Sequence, residues 1–323
     1  MVGNMDIQDM IDITNECSDN MQERNEVIRS LAQYTSVDAL HSITNNLVRK
    51  NNQTYFILRA TSALHTNDRE ELKHGYDFMM DILKQMEERI GNENNRPEHL
   101  FLSNYAKELS SSEKHKDESH ESILEWFYSS IWTPYVISLT RKFDDLTMWN
   151  KAYGRSGEGV CIVFDFTNIE YIDSNLMTNV PMMMAYKDCP GYWQTFNILI
   201  IAIQKIYNSY LYVAQNREAN LLDLKLHTLA SMCSFVSSYI KGAQWHDEQE
   251  WRIMCTTKAD NSDCIKYDER NRPYVEVLVP LSCLKKIIFG PKVDDDIIKE
   301  FQQNAQNIGL SPDGIYKSKA PLK

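Results

Sequence analysis

Alternating and continuous runs of apolar residues predict strands at several positions along the chain. Residues 54–60 (TYFILRA) and the segment WTPYVISLT, which ends at Thr140, are rich in β-branched and aromatic residues and predict strands. GVCIVFDF, from Gly159, is almost wholly apolar, as expected of a strand buried on both faces. WRIMCTT, YVEVLVP and KKIIFG are the last strand patterns of the chain. The strands are therefore spread over most of the sequence.

Helical periodicity fills the intervals between them. Residues 68–90 predict an amphipathic helix, residues 192–241 a large helical insertion, and the chain closes with a helix near 294–307. We therefore predict an α+β fold: a polar, partly helical lead-in over residues 1–30, then a single domain over 31–323 that contains the helical insertion.

A short strand from Ser30 precedes a further helix. Thr35 or Ser36 would cap it, and Val37 and Leu40 would lie on its buried face.

Composition and charge narrow the class of protein. The 323 residues are 43% hydrophobic and 24% charged, which allows a sizeable core. A formal net charge of -11 argues against a general nucleic-acid binder, though a local basic pocket remains possible. Seven scattered cysteines without a CxxC pair indicate reduced thiols. No signal peptide or membrane-length apolar run is present, so we expect a cytoplasmic protein without a membrane partner.

The stretch KGAQWHDEQEWRI crowds carboxylates against an apolar strand. If the strand begins near Glu248, then Glu248, Glu250 and Arg252 share one face, and Trp251 lies on the other. Same-face glutamates stand roughly 7 Å apart, so their ionisation is coupled: one pKa rises while the other carboxylate stays ionised. The alternative is that Glu250 pairs with Arg252 or Lys241 on an exposed edge.

Three other patches offer groups that could bind a ligand. Ser138 and Thr140 lie on one face of an otherwise apolar strand, where small hydroxyls leave space for a flat ligand or are satisfied within the core. Residues 33–36 are polar where the first strand turns into a helix, which an N-cap alone would also explain. Arg59 closes an apolar strand and could hold a phosphate or carboxylate with two hydrogen bonds.

Metal chemistry has less support in the sequence. The eight histidines are dispersed without HxH or HExxH spacing, so we expect no metal. His246, Asp247 and Glu248 could nevertheless hold a divalent ion together with Asp144 and Asp145, which keeps a metal-dependent nuclease as a minor alternative.

The order of these pieces resembles the bacterial domain-of-unknown-function 2971 family. The shared pattern reads YTS…L, R…ND.E, SLT…DD…MW…G.GVCIVFD, K…W..E.EWR and L..IIFGP, over residues of about 31–292. The matching residues are Tyr34, Thr35, Ser36, Asn67, Asp68, Glu70, Ser138, Leu139, Thr140, Asp145, Met148, Trp149, Gly159, Cys161, Phe164, Asp165, Lys241, Glu248, Glu250, Trp251 and Arg252. Where the family often has a histidine or tyrosine soon after the MW pair, this chain has NKAY.

The same order is similar to the wider ADP-ribosyltransferase fold. That fold carries a His or Arg on its first strand, a hydroxyl or tyrosine on a middle strand and a glutamate on a later one. The resemblance places these roles at residues 33–35 or Arg59, then at Ser138 and Thr140, then at Glu250. Residue 33 is a glutamine here, neither His nor Arg. The implied fold is a mixed-sheet core with a large helical insertion.

The implied reaction is cleavage of the nicotinamide–ribose bond of NAD, which passes through an oxocarbenium-like sugar. Glu250 would hold the ribose and stabilise the developing positive charge, and Glu248 would position or deprotonate the incoming nucleophile. Ser138 and Thr140 would form a wall with hydrogen bonds for nicotinamide.

Further residues would complete the NAD site. Tyr34 or Tyr153 would stack on nicotinamide, Thr35 would contribute from the first strand, and Arg59 would take the pyrophosphate. Such an enzyme would be a toxin or defence effector that modifies a macromolecule or hydrolyses NAD, with a possible protein partner or antitoxin. The alternative is a sensor or interaction protein that binds a nucleotide or peptide in the same cleft without catalysis.

A geometric prediction concerns the strand itself. Glu250 should begin an internal strand, with Trp251 in the core behind it and Glu250 facing the same cleft as Ser138. Trp251→Ala should then be strongly destabilising, whereas Glu250→Gln should leave melting unchanged or raise it.

Overall fold

The computed structural model of the protein describes residues 30–65, 69–91, 132–166, 177–178, 181–186, 201, 204–205, 207–208, 210–212, 237–258 and 262–321. Within these residues the chain is a mixed α+β structure with few helices, built on a largely open mixed sheet. The predicted α+β class is confirmed.

The strands run from one end of the described chain to the other. In chain order they are β1 (Leu31–Thr35), β2 (Val48–Lys50), β3 (Gln53–Ser62), β4 (Trp132–Thr140), β5 (Val160–Phe164), β6 (Met177–Thr178), β7 (Met182–Met183), β8 (Ala185–Tyr186), β9 (Ile240–Lys241), β10 (Glu250–Lys258), β11 (Lys266–Tyr267), β12 (Pro273–Pro280), β13 (Leu284–Phe289) and β14 (Ile315–Lys317).

Helices connect these strands. The α-helices are α1 (Val37–Asn45), α2 (Arg69–Gly91), α3 (Leu146–Asn150) and α4 (Asp295–Gln303). The 3₁₀ turns are Ala63–His65, Ala152–Gly157, Ala243–Glu248, Ser262–Cys264, Leu281–Cys283, Ala305–Ile308 and Pro312–Gly314. The strands predicted from the apolar patterns correspond to β3, β4, β5, β10, β12 and β13. The helices predicted over residues 68–90 and near 294–307 correspond to α2 and α4.

Twelve of the described strands form one sheet. Its main path runs β11-β12-β3-β4-β1-β5-β13-β14, with β2 beside β3, β10 beside β4, and β6 and β7 beside β10. The pairs are antiparallel except for β13 with β14. β8 and β9 form a separate two-stranded parallel sheet.

The main sheet forks at β4. One edge of β4 pairs with β10 along its whole length. On the opposite edge, β3 pairs near the beginning, with Thr61 opposite Val136, and β1 pairs at the end, with Ala32 opposite Thr140. No described strand pairs with this edge at residues 137–139. β1 and β3 therefore diverge from the same edge and leave an opening between them.

The main hydrophobic core covers one face of the sheet. On β4 and β10 it takes the odd-numbered side chains, for example Ile137, Leu139, Trp251 and Ile253, all of which are buried. The even-numbered side chains of the same strands point to the other face. Strand alternation thus separates an apolar face from a polar one.

Capping side chains fix where the short helices begin. The Ser36 hydroxyl accepts a hydrogen bond from the Ala39 amide at 3.1 Å, which confirms one of the two caps predicted for α1. Asp145 caps α3 in the same way through the Met148 amide at 3.1 Å.

The predicted helical insertion over residues 192–241 is described only in part. Residues 201, 204–205, 207–208 and 210–212 are helical. The segment does not stay helical to its end, because Ile240–Lys241 forms β9 by pairing with β8. The rest of the insertion, and residues 1–29 of the predicted lead-in, lie outside the described residues. Of the helices that the structure describes, none has both the length and the apolar character needed to cross a membrane.

Candidate functional site

A cleft of about 340 Å³ opens at the fork of the sheet. It is lined by residues of β1, β3, β4 and β10, and by residues from the turns around them. Seven of the predicted site residues line this one cleft: Tyr34, Thr35, Arg59, Ser138, Thr140, Glu248 and Glu250. They come from positions more than 200 residues apart along the chain, so the fold, and not local sequence, brings them together.

Strand register explains how the polar groups meet. Thr140 lies opposite Ala32 of β1 on one side and opposite Glu250 of β10 on the other. Two residues further along, Ser138 lies opposite Arg252. Residues directly opposite one another on neighbouring strands share a face. The hydroxyls of β4 and the charges of β10 are thus cross-strand neighbours.

Glu250 begins strand β10, as predicted, and Trp251 behind it is buried in the main core. The strand is internal, because it pairs with β4 on one side and with β6 and β7 on the other. The prediction that Glu250 faces the same cleft as Ser138 is also confirmed.

Glu248 does not continue this strand, which corrects the predicted alternation. It ends the 3₁₀ turn Ala243–Glu248, and Gln249 then adopts a left-handed backbone with φ of 45°. This reversal breaks the strand geometry one residue before Glu250. Glu248 nevertheless lines the cleft, because the turn folds its side chain back toward β9.

Five charged side chains form an alternating network, of which all but Lys151 line the cleft. Lys151 Nζ lies 2.6 Å from Glu248 Oε1, and Lys241 Nζ lies 2.8 Å from Glu248 Oε2. The same Lys241 Nζ lies 2.7 Å from Glu250 Oε2, and Arg252 Nε lies 2.7 Å from Glu250 Oε1. Among the residues that the structure describes, three cations thus share two carboxylates.

Four of the five members of this network are buried, unlike the exposed edge of the alternative prediction. Lys241, Glu248, Glu250 and Arg252 are all buried. Burial of charge is costly unless each charge is paired and hydrogen-bonded, which is the case for every oxygen of the two carboxylates. The pairs predicted for Glu250 are therefore present, but inside the protein.

The pKa of Glu250 reflects two opposing effects. Burial raises the pKa of its carboxyl, but the positive charges of Arg252 and Lys241, with their hydrogen bonds, outweigh burial and lower it to about 2. Glu250 therefore stays ionised in the folded protein, and the raised pKa predicted for one of the two glutamates is not that of Glu250.

Thr140 and Tyr34 use their hydroxyls to hold loops beside the cleft. Thr140 Oγ1 donates to the Glu248 carbonyl at 2.6 Å and accepts from the Lys142 amide at 3.0 Å. Tyr34 Oη donates to the Lys142 carbonyl at 3.1 Å and accepts from the Asp145 amide at 3.0 Å. Its ring packs edge-on against Trp149, and burial raises the pKa of its hydroxyl. Both side chains thus fix the walls of the cleft.

Ser138 and Arg59 present more open groups to the cleft. Ser138 is exposed. Arg59 is also exposed, with its guanidinium 4.7 Å from the centre of the Tyr274 ring. Its cross-strand neighbour Glu276 binds Lys266 instead, at 2.6 Å. The exposed Arg59 guanidinium is therefore available to an anion.

The structure adds residues that the sequence did not indicate. His65 and Arg272 also line the cleft, and Tyr186 Oη accepts a hydrogen bond from the Glu250 amide at 2.8 Å. Nothing in the local pattern around Tyr186 pointed to this contact. Thr35 lines the cleft as a partly buried residue, and the side chain of Tyr153 lies outside the described residues.

The residues of the minor metal alternative are separated. His246 and Asp247 are exposed and lie 3.1 Å apart, whereas Glu248 is held by two lysines. Asp144 accepts hydrogen bonds from the Trp149 indole and from Ser318 in another loop. In the part of the chain that the structure describes, no three His, Cys, Asp or Glu residues are grouped as metal ligands.

Comparison with known proteins adds one family. The family described as "Protein of unknown function (DUF2971)" matches residues 148–253, a shorter segment than the predicted pattern covers. No curated protein and no solved structure matches the chain. The predicted resemblance to this family is therefore confirmed over residues 148–253, the segment that supplies Lys241, Glu248 and Glu250.

Proposed function

We propose that this chain is an NAD-consuming enzyme of ADP-ribosyltransferase type, acting at the fork of the sheet. The observation that carries the proposal is Glu250: a buried carboxylate with a pKa of about 2, on the floor of a cleft of about 340 Å³. A carboxylate that stays charged in a buried site is suited to stabilising a developing positive charge.

The reaction puts that positive charge on a sugar. The bond between the nicotinamide nitrogen and ribose C1′ breaks, its electron pair leaves with nicotinamide, and the ribose becomes oxocarbenium-like. A nucleophile then bonds to C1′ and transfers its proton to the Glu248 carboxylate or to solvent water. Glu250 would stabilise the ribose cation, and Glu248 would orient the nucleophile, which is either water or a group on a macromolecule.

The size and charge of the cleft support a nucleotide ligand. Ligand pockets commonly enclose about 300–1,000 Å³, so the volume here suits the nicotinamide riboside half of NAD. Arg59, whose neighbouring acid is engaged elsewhere, would take the pyrophosphate. Ser138, exposed on the strand beside Glu250, would donate to the nicotinamide amide.

The arrangement of strands also supports the proposal. β1, β4 and β10 lie side by side, and they carry the three motifs in the order in which the ADP-ribosyltransferase fold uses them. This is support by analogy of architecture, and the chemistry rests on the cleft. The roles of toxin or defence effector, with a macromolecular acceptor and an antitoxin, belong to the same proposal.

A second function, ligand binding without turnover, is favoured by one observation. Both carboxylate oxygens of Glu250 are already bonded, one to Lys241 and one to Arg252. A ribose hydroxyl would have to share an oxygen with one of these cations. In a sensor protein the same network would simply hold the floor of an anion-binding cleft.

Nicotinamide release from NAD tests both functions. We expect turnover by the wild type and a loss of about 10²–10³-fold in Glu250→Gln, the size of effect typical of removing one transition-state electrostatic contact. Glu276→Gln is the matched control, because Glu276 is also ion-paired but lies outside the cleft, and it should turn over normally.

The outcomes separate the alternatives. Binding of NAD by the wild type without release of nicotinamide would favour the sensor. If the wild type neither binds NAD nor releases nicotinamide, the NAD assignment is refuted. Full turnover in Glu250→Gln would refute the catalytic role of Glu250. All variants are compared at a temperature at which circular dichroism shows each to be folded.

A further inference from the structure

We infer that Lys241 is the positioning residue of the site: with Tyr186, it holds Glu250 in its place and orientation at the floor of the cleft. The catalytic meaning of this position rests on the proposed function. The contacts themselves, and the measurement that tests them, do not depend on NAD.

Lys241 and Tyr186 reach Glu250 from a structure separate from the main sheet. They are register partners in the small parallel sheet formed by β8 and β9. Tyr186 Oη accepts a hydrogen bond from the Glu250 backbone amide at 2.8 Å, and Lys241 Nζ binds the Glu250 carboxylate at 2.7 Å. One pair of neighbouring residues thus fixes both the backbone and the side chain of the same glutamate.

The small sheet is itself held firmly in place. The Ala185 amide donates to the Tyr239 carbonyl at 2.8 Å, and Ala185 and Ile240 are buried together beside Phe78 of α2. Arg252 Nη1 donates to the Ser238 carbonyl at 2.5 Å, just before β9. The lysine therefore projects from a rigid support, which is what a positioning residue needs.

The Lys241 ammonium has little freedom to move. It is buried, bridges Glu248 and Glu250 at 2.8 and 2.7 Å, and lies 5.2 Å from the centre of the Trp245 ring. An ammonium has three N–H donors, and two of them are committed to different carboxylates. Lys241 therefore sets the distance between the two glutamates as well as the orientation of Glu250.

Other elements also face Glu250 and must be counted in any pH measurement. Arg252 binds it from its own strand, Tyr186 from β8, and the Thr140 position lies opposite it on β4. Glu248 faces it through the shared Lys241 ammonium. Arg252 remains in a Lys241 variant, so removal of the lysine should raise the pKa of Glu250 only in part.

Carboxyl titration by ¹³C NMR tests the inference directly, with the Glu250 signal assigned by its loss in Glu250→Gln. We expect the pKa of about 2 in the wild type to rise to between about 3 and 5 in Lys241→Met, as expected for loss of one adjacent charge. Lys241→Arg, which keeps the charge, should restore a low value.

Lys151→Met is the matched control. Lys151 also binds Glu248 and also lies near Trp245, at 5.1 Å, but Glu250 is held by other residues. Its loss should leave the pKa of Glu250 near 2. If Lys241→Met does not fold, the Glu250 pKa is compared between the double variant Lys241→Met/Glu248→Gln and the single variant Glu248→Gln. Glu248→Gln removes a carboxylate that the lysine neutralises, so the double variant should fold more readily.

An unchanged Glu250 pKa in Lys241→Met would overturn the inference and assign the positioning of Glu250 to Arg252. If the wild type consumes NAD, the pH profile gives a second measurement: kcat/KM in Lys241→Met should acquire an acidic limb at the raised pKa. If the wild type does not consume NAD, the proposed function fails while the titration still decides the role of Lys241.

Discussion

Strands β4 and β10 present two contrasting faces built from alternate residues of the same backbone. One face holds Leu139, Trp251 and Ile253, which are buried against other apolar side chains. The other holds Glu250 and Arg252, equally buried but charged. Trp251 and Glu250 are thus buried to nearly the same extent, so exposure does not distinguish these two positions.

The two faces differ in the free energy of burying their side chains. The apolar face gains free energy in proportion to the area removed from water. The charged face must first offset desolvation, and a complete network of ion pairs does so at best approximately. The apolar face therefore fixes the register and the stability of the strand pair, and the charged face can be specialised for chemistry because its neighbour holds it in place.

The largest effect on stability is expected on the apolar face. Trp251→Ala should lower the free energy of unfolding by about 3–5 kcal/mol, because it empties a fully packed position. Trp251→Phe should cost less, since the indole Nε1 is buried and lacks a hydrogen-bond partner among the described residues. Denaturant titration measures the free energy of unfolding of both variants. If Trp251→Ala lost less of it than Glu250→Gln, the charged face and not the apolar face would be the main source of stability.

Glu250→Gln should come next, at about 3 kcal/mol near neutral pH, because two buried cations lose their shared carboxylate. This revises the sequence-based expectation of unchanged or higher melting, which treated Glu250 as an active-site charge held at the expense of stability. Glu276→Gln, which weakens a more exposed pair, should cost no more than about 1 kcal/mol. Equal losses in the two variants would show that burial adds nothing to the Glu250 pairs.

The loss in Glu250→Gln should itself depend on pH. The folded-state pKa of about 2 lies below the ordinary value of 4.5, so between these values the folded state binds fewer protons than the unfolded state. The stability from Glu250 is then fully present above about pH 5 and is lost as the pH falls toward 2. The gap in unfolding free energy between wild type and variant should narrow over that range; a constant gap would contradict the lowered pKa.

Ser138→Ala should have the smallest effect on stability, within about 0.5 kcal/mol, because the side chain is exposed. On the proposed function it should weaken NAD binding without changing the pH dependence of unfolding. Titration calorimetry and denaturation together check this pair of outcomes. A loss of stability comparable to that of Glu250→Gln would make the hydroxyl part of the fold.

The sequence was most informative where structure is local. The bounds of β4, the start of β10 and the Ser36 cap followed from alternation and from capping chemistry, which act over a few residues. The position of Glu248 did not follow, because the left-handed backbone at Gln249 interrupts a pattern that alternation alone would continue.

The contacts of Tyr186 and Lys241 with Glu250 could not be predicted from the sequence for a different reason. Tyr186 and Lys241 meet through parallel pairing across more than 50 residues, and two-residue strands carry almost no periodic signal. The fork of the sheet has the same origin, since it depends on where β1 and β3 leave β4. Local patterns predict the strands, whereas long-range pairing decides which side chains share a cleft.

The pairing of β8 with β9 also bears on how this protein can change over evolutionary time. The chain leaves the two-stranded sheet after Tyr186 in β8 and returns to it at Tyr239, just before β9. Both ends of the intervening segment are therefore anchored beside Glu250. Even for a fully flexible connection, each doubling of length between fixed ends raises the closure free energy by only about 0.6 kcal/mol. Insertions and deletions in that segment should therefore be tolerated as long as the two anchors still pair, which leaves its length and content open to variation while the carboxylate keeps its place.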